Sequence, residues 1–315
     1  MPAPGFLLYN ASAGSAAKHS AASLLEVLRE SGSEVELHEF REGDDPRELV
    51  ESAIARGAKW IAVAGGDGTI EAAAAALIGT DIPLGIIPCG TFNNFARSVG
   101  IPLDPPEACR IAATGRVRAI DVGFVNGEPF FECVGVGLDA ELFPVSEEIK
   151  SGGVLRWLEF FRRAYRYRRS HFEIEFDRPA GDALMSADPK QHHRRRHLRK
   201  LAGRSLRIRA LLVTVSNGPY YGANFAIAPH ERMDDGLVTV GVFKRFNKLA
   251  LWRHFLSISF GRRAYSPELL SFRCAAVSIR GDKPLPAHRD GTPVEQWPLH
   301  IELRQAALKI RTSAG

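Results

Sequence analysis

The chain has 315 residues with an ordinary globular balance, 45% hydrophobic and 24% charged, and this length suits two domains that each bury a core. No apolar run approaches the ~20 residues that a membrane span needs, and Met1-Pro2-Ala3-Pro4-Gly5 lacks the basic start of a signal peptide, so a cytoplasmic chain is expected. The formal net charge of +5 favours an anionic partner, and Cys89, Cys109, Cys133 and Cys274 are too scattered for a zinc site and read as reduced core thiols.

In chain order, Gly5 to Tyr9 reads as a buried strand, and the small-residue turn Asn10-Ala11-Ser12-Ala13-Gly14-Ser15 leads into a helix carrying Leu24, Leu25 and Leu28. Glu34 to Phe40 alternates as a strand, Pro46 to Arg56 reads as a helix, and Trp60 to Ala64 is a further apolar strand. It runs into Gly65-Gly66-Asp67-Gly68-Thr69, after which Ile70 to Leu77, including Glu71, continues as a helix. Strand, glycine turn and helix start in that order aim backbone N–H groups at one point, which suits phosphate. The glycines allow positive φ and close approach of a ligand, and Thr69 offers a cap or a hydroxyl. Asp67 makes sense there with a cation or a proton to handle. Leu84 to Pro88 is a fourth strand, followed by the loop Cys89-Gly90-Thr91-Phe92-Asn93-Asn94-Phe95-Ala96-Arg97. Strands and helices alternating in this way predict an α/β domain with a parallel sheet, helices on both faces, and a ligand at the carboxyl ends of the strands.

From about Val117 the pattern turns to strands: Phe172, Ile174 and Phe176 alternate with glutamates, Leu206, Ile208 and Ala210 with arginines, and Gly236 to Phe243 and Pro298 to Arg304 follow. This predicts a second, mainly antiparallel β domain, with boundaries 1–121 and 122–304. Two basic stretches interrupt it. Val154 to Arg169 mixes Trp157, Phe160 and Phe161 with Arg162, Arg163, Arg166, Arg168 and Arg169 at helical spacing, which suits an anionic membrane surface or an internal core helix. Lys190 to Lys200 is a polar basic run in which no nucleic-acid fold is recognisable, so no nucleic-acid partner is expected.

With these loops in place, the sequence resembles the diacylglycerol kinase catalytic-domain family of lipid kinases along nearly its whole length. The family's Asn-Pro-x-Ser-Gly loop is similar to Asn10 to Gly14, its Gly-Gly-Asp-Gly-Thr is intact at Gly65 to Thr69, and its Gly-Thr-x-Asn-Asp-Phe-Ala-Arg is similar to Gly90 to Arg97. Ser216-Asn217, Tyr220-Tyr221-Gly222, Ala228-Pro229 and Asp234-Asp235-Gly236-Leu237 are similar to its second-domain pattern. The resemblance implies that the second domain is a β-sandwich and that 305–315 return to the first, and it implies ATP-dependent phosphorylation of a lipid hydroxyl at a membrane surface, with the protein peripherally associated there and a homodimer left open. It implies ATP contacts at Asn10, Ala11, Ser12, Ala13, Gly14, Gly65, Gly66, Asp67, Gly68, Thr69, Ile70, Glu71, Gly90, Thr91 and Asn93. It also implies Mg²⁺ near Asp67, and a structural Mg²⁺ on Asp235 with the carbonyls of Arg232 and Leu237.

The chain departs from the family at four positions. Thr292 stands where the family's Asp-Gly-Glu has the glutamate regarded as the base, Asn94 where aspartate is usual, Ala11 where proline is, and Glu71 where asparagine is. Threonine cannot accept the proton, which leaves Glu295, Asp67 or Asp290 for that role. Two other functions compete: an NAD-type or small-metabolite kinase, which shares the central pentapeptide, and a lipid- or nucleotide-binding protein without turnover, for which Thr292 and Asn94 speak.

Overall fold

The computed structural model describes residues 4–12, 19–32, 34–41, 43–142, 162–163, 166–184, 203–221, 225–226, 228, 232–244 and 269–313. They divide between two compact units, 1–122 with 218–236 and 304–315, and 123–217 with 237–303.

In the first unit, β1 (Gly5–Tyr9), β2 (Val35–Glu39), β3 (Trp60–Gly65) and β4 (Leu84–Pro88) form a parallel sheet in the order β2-β1-β3-β4. β1, β3 and β4 are buried along their whole length, as strands covered on both faces must be. The helices are α1 (Ala21–Glu30), α2 (Pro46–Ala55), α3 (Asp67–Leu77), α4 (Asn94–Ser98) and α5 (Pro105–Thr114). α1 packs against α5 and α2 against α3. Leu24 and Leu28, one helical turn apart on α1, share a core with Cys109 and Ala112 of α5 and with Leu7, Ala62 and Ile87 of the sheet. The chain's end returns to this unit: Ile310 pairs in parallel with Leu84, and the Arg311 guanidinium lies 5.2 Å over the Trp60 ring.

β5 (Arg116–Val125) carries the chain into the second unit. There follow β6 (Glu128–Phe130), β7 (Cys133–Gly137), β8 (Ser170–Phe176), β9 (Ser205–Ala210) and β10 (Leu212–Ser216). The hairpin β11 (Tyr220–Tyr221) and β12 (Phe225–Ala226) precedes β13 (Val238–Phe243), β14 (Leu269–Cys274), β15 (Ala276–Gly281), β16 (Ala287–Arg289), β17 (Thr292–Pro293) and β18 (Leu299–Thr312). One antiparallel sheet runs β14-β13-β10-β7-β16-β17; the first residues of β18 open a second antiparallel run, β18-β15-β8-β9. Val134, Val136, Val213, Val215, Val238 and Val240 from the first face Phe172, Ile174, Val277, Ile279 and Ile301 from the second. The rings of Phe176 and Phe272 meet at 4.9 Å. This is the expected sandwich, and its outward residues pair as alternation requires: Glu173 opposite Arg207, joined at 3.0 Å.

Two features differ from expectation. β18 runs on to Thr312 rather than ending at Arg304, with Ala306 at φ 52 marking an irregularity within it. The segment 218–236, expected in the second domain, packs with the first unit. Asp121 holds it there: its N–H donates to the Met233 carbonyl at 2.6 Å, and its carboxylate accepts from the Gly236 and Ala306 amides at 2.8 Å each. Asp121 is 5% exposed, so these bonds offset a burial that would otherwise be costly. Among the described residues no helix is long and apolar enough to cross a membrane. Trp157, Phe160 and Phe161, and the basic run 190–200, lie outside the described residues.

Candidate active site

In the strand order β2-β1-β3-β4, the connections that follow β1 and β3 run in opposite directions, and a sheet of this kind opens its ligand crevice beyond the ends of those two strands. The loops after those two strands meet there. The Asn10 amide nitrogen donates to the Thr69 hydroxyl at 2.9 Å, the Asn10 N–H donates to the Ala64 carbonyl at 2.9 Å, and Asn10 Oδ1 accepts from the Ser12 N–H at 3.0 Å. Asn10 therefore shapes the loop, while Ala11 and Ser12 stand exposed on it. Ala13 and Gly14 lie outside the described residues.

The loops after β3 and β4 pack backbone on backbone. A Cβ on Gly90 would sit 2.6 Å from the Gly66 Cα and 2.9 Å from Asn93 Oδ1, so a larger residue at position 90 would force the loops apart, whereas a Cβ on Gly66 meets the Gly90 Cα at an ordinary 3.5 Å. Gly65, Gly66 and Gly68 take no positive φ, so they do not supply the left-handed conformation expected from the sequence. Asn93 is the residue that does take it, at φ 53; its side chain accepts from the Gly90 N–H at 2.8 Å and donates to the Gly90 carbonyl at 3.0 Å. Thr91 is left exposed at the tip.

α1, α2 and α5 begin on side-chain caps, with Ser20, Asp45 and Asp104 each accepting a first-turn amide. α3 begins on Gly66 and has no side-chain cap. Thr69 does not supply one, since Asn10 holds its hydroxyl. First-turn amides with no capping side chain, an exposed Gly68 and open space over its Cα make this helix start fit an anionic group. Ile70, in contrast, is fully buried and its amide donates to the Gly66 carbonyl at 3.0 Å, so it serves the core.

Asp67 stands at this helix start, half-buried. Its Oδ1 accepts from the Phe95 N–H at 3.2 Å, so it fastens α4 beside the β3 loop. Burial pushes its carboxyl above the ordinary carboxylate range, while the amides of Phe95, Asn94 and Asn93 and the charge of Arg97 pull it down. Glu71 follows one turn later, with carboxylate oxygen within 4.8 Å of that of Asp67. Two carboxylates at that spacing are an all-oxygen donor set of the kind a hard divalent cation takes. A second oxygen-rich position is the turn 232–237. Gly236 has φ 74 there, Asp235 is half-buried, and Arg232 is exposed with its guanidinium on Asp234 at 2.9 Å. A carboxylate beside main-chain carbonyls suits the same class of cation.

In the second unit the hairpin from β16 to β17 turns on Asp290 and Gly291, at φ 42 and 86. The Asp290 carboxylate accepts from the Phe131, Glu132 and Cys133 amides at 2.6, 3.0 and 2.8 Å. Three of its roughly four acceptor positions are thereby taken, which gives it the task of fastening the hairpin to β7. Burial raises its carboxyl and these amides, with the charge of His288, lower it. Thr292 and Glu295 are exposed. Behind the hairpin, His288 is 2% exposed and its Nε2 lies 3.0 Å from Asp139 Oδ2. Gly135 makes room for that pair, since a Cβ there would collide with both.

Sequence reasoning passed over Asp121, Glu132, Asp139 and His288. Asp121 and Glu132 each carried a signal: a single carboxylate inside an apolar run, Ile120-Asp121-Val122 and Phe130-Phe131-Glu132-Cys133-Val134. Such a residue has to be compensated or used.

Residues 4–125 match the diacylglycerol kinase catalytic domain, and residues 162–312 match the YegS C-terminal NAD kinase beta sandwich-like domain. The probable lipid kinase YegS-like of Pseudomonas aeruginosa (strain UCBPP-PA14) is 25% identical over 299 residues, covering 91% of this chain and 87% of its own. The probable lipid kinase YegS of Escherichia coli (strain SMS-3-5 / SECEC) is 27% identical over 291 residues, covering 90% and 88%. In fold, the crystal structure of a diacylglycerol kinase from Bacillus anthracis str. Sterne superposes with a TM-score of 0.70 at 20% identity, covering 98% of this chain and 97% of that one. The chain thus carries a diacylglycerol kinase catalytic domain followed by a YegS C-terminal NAD kinase beta sandwich-like domain, and over about nine-tenths of its length it is similar to proteins named as probable lipid kinases.

Proposed function

We propose that this protein transfers the γ-phosphate of ATP, taken with Mg²⁺, to a hydroxyl of diacylglycerol or a related lipid. The observation that carries the proposal is the α3 start. Two glycine loops touch there, a helix presents first-turn amides with no capping side chain, and Asp67 and Glu71 stand within one turn. Asn10, Gly65, Gly66, Gly68 and the Gly90 loop would hold the phosphates through backbone and small side chains. A divalent cation on Asp67 and Glu71 would neutralise charge on the phosphate oxygens. The lipid oxygen forms the new bond to the γ-phosphorus, the bond from that phosphorus to the β–γ bridging oxygen breaks, ADP leaves with that electron pair, and the hydroxyl proton passes to a base. Transfer through a loose transition state depends chiefly on positioning and charge, so an exposed threonine at position 292 slows the step without forbidding it.

A lipid acceptor sets the reaction at a membrane surface, and the aromatic, arginine-rich segment 154–169 is proposed to dock there peripherally. Incubation with γ-labelled ATP, Mg²⁺ and vesicles containing dioleoylglycerol tests the proposal. Label in the organic extract that depends on both lipid and protein is the expected result. Label that appears only on NAD or another water-soluble acceptor would replace the lipid with a small metabolite, and nucleotide binding without transfer would favour the binding-protein alternative.

A further inference from the structure

Asn10 and Thr69 lie 59 residues apart in the chain and meet beside the start of α3. Both ends of the Asn10 amide are engaged there. A primary amide has an oxygen that only accepts and a nitrogen that only donates. The Ser12 N–H can only donate, so the Asn10 atom 3.0 Å from it is Oδ1, and this turns Nδ2 toward the Thr69 hydroxyl at 2.9 Å. The Thr69 oxygen is therefore the acceptor in that bond, and its own proton is not spent on Asn10. A hydroxyl has one O–H to give besides its lone pairs, and among the described residues no group accepts this one.

The hydroxyl is also fixed from its other side. The Thr69 side chain folds back over the buried Gly65, where a Cβ would sit 3.0 Å from Thr69 Cβ and 3.3 Å from its Oγ1. Asn10 is itself tied to the end of β3, its N–H donating to the Ala64 carbonyl at 2.9 Å. A threonine in a helix commonly turns its hydroxyl onto the carbonyl four residues earlier, which for Thr69 is that of Gly65. That bond is not made here. With Nδ2 on one lone pair the O–H has to point away from Asn10, and Thr69 is half-buried in the first turn of a helix whose amides have no capping side chain.

We infer that Thr69 donates its hydroxyl to a phosphate oxygen of the bound nucleotide, and that Asn10 is the positioning residue that makes it a donor. The inference deepens the nucleotide part of the proposed function and rests on it. A hydroxyl that accepts one hydrogen bond is polarised and gives a stronger one in turn, and a bond to an anionic phosphate oxygen is charge-assisted. Asn10 thus serves the phosphates through Thr69.

The test measures the Kd of Mg-ATP on the full chain for wild type, Thr69→Val, Thr69→Ser, Asn10→Ala and Asn10→Ala/Thr69→Val, with a melting curve on each to show that it is folded. Thr69→Val keeps the shape and loses the hydroxyl, and is expected to raise Kd by about 10- to 100-fold, the range of one hydrogen bond to a charged group. Thr69→Ser keeps the O–H and stays within about threefold of wild type. Asn10→Ala leaves the hydroxyl in place but undirected and raises Kd by about 3- to 10-fold, the scale of a neutral hydrogen bond. Because Asn10 acts through Thr69, the double variant binds within about twofold of Thr69→Val alone. An Asn10 that only shapes the loop, or that touches phosphate itself, gives losses that multiply.

Wild-type affinity in Thr69→Val, a Thr69→Ser as weak as Thr69→Val, or multiplied losses in the double variant each overturn the inference and leave the kinase reading standing. A wild type that binds no Mg-ATP overturns the nucleotide reading and the inference with it. A protein that shows the expected pattern of affinities yet labels no lipid supports the inference while the transfer reading fails. Should Thr69→Val not fold, Thr69→Ala and Asn10→Ala/Thr69→Ala carry the same comparison with the same outcomes.

Discussion

The dipeptide Asp-Gly stands at three turns of this chain, and two of them use it differently. Asp67-Gly68 opens α3 with Asp67 half-buried and Gly68 exposed, and the carboxylate both fastens α4 and faces Glu71 within 4.8 Å. Asp290-Gly291 closes a β hairpin with both residues at positive φ, and the carboxylate is consumed by three amides of the neighbouring segment. Backbone amides act on both carboxylates, those of Phe95, Asn94 and Asn93 on Asp67 and those of Phe131, Glu132 and Cys133 on Asp290. What separates the two is the setting: Asp67 stands at a helix start with the Glu71 carboxylate beside it, an oxygen donor pair for a cation, and Asp290 ties a hairpin to its neighbouring strand.

Substitutions at the two aspartates separate the roles. Asp67→Asn is expected to reduce lipid-dependent phosphate transfer by about 10²- to 10³-fold, the scale of one lost electrostatic stabiliser, with the thermal midpoint lowered only modestly. Steady-state rates alongside melting curves check it, and wild-type turnover would remove Asp67 from the chemistry. Asp290→Ala should instead cost about 3–5 kcal/mol of stability, since each buried amide left without an acceptor costs about 1–3 kcal/mol. Urea unfolding measures this, and an unchanged midpoint would deny Asp290 its structural task.

The glycine contact sharpens the contrast within the first unit. Gly90→Ala drives a methyl to 2.6 Å from the Gly66 Cα, so the two loops must part, at about 1–3 kcal/mol in stability, with nucleotide affinity lost as well. Gly68→Ala meets nothing within 4 Å and lies in the first turn of α3, so stability should hold or rise by up to about 1 kcal/mol while the added methyl obstructs an anion. Nucleotide titrations on both variants distinguish crowding of the ligand from collapse of the loop. The smallest effect is in pH. Burial, the main cause, raises the Asp67 carboxyl above its ordinary 3.8. Its contribution to stability is therefore fully present below that value and is lost as pH rises through the raised one. The stability of wild type relative to Asp67→Asn should then be greater at pH 4 than at pH 7; the reverse trend would mean that the amides from α4 outweigh burial.

Local periodicity made much of the fold legible. Gly5–Tyr9 and Leu84–Pro88 are strands with the boundaries read from the sequence, because a short apolar run between polar turns has few alternatives. The glycine loops are legible as loops from their composition, and at Gly90 the reason is contact with the neighbouring backbone. What was not legible depends on distant partners. Nothing in the residues around Asp121 announces that its carboxylate collects the amides of Gly236 and Ala306, so segment 218–236 was assigned to the second domain. Asp290 looked like a candidate base because the three amides that occupy it lie about 160 residues earlier in the chain. Arg232, Asp235 and Leu237 come from the resemblance, and the Asp-Gly among them marks a turn, but the clamp of Asp121 on Gly236 is a tertiary fact.

The most direct test of the account is the transfer of label from γ-labelled Mg-ATP into chloroform-extractable lipid by wild type and Asp67→Asn side by side, with ATP binding measured on the same samples. The account predicts lipid-dependent label in the wild type and at least about a hundredfold less in the variant. Equal label in both, or none in a wild type that binds ATP and is offered diacylglycerol, would contradict it.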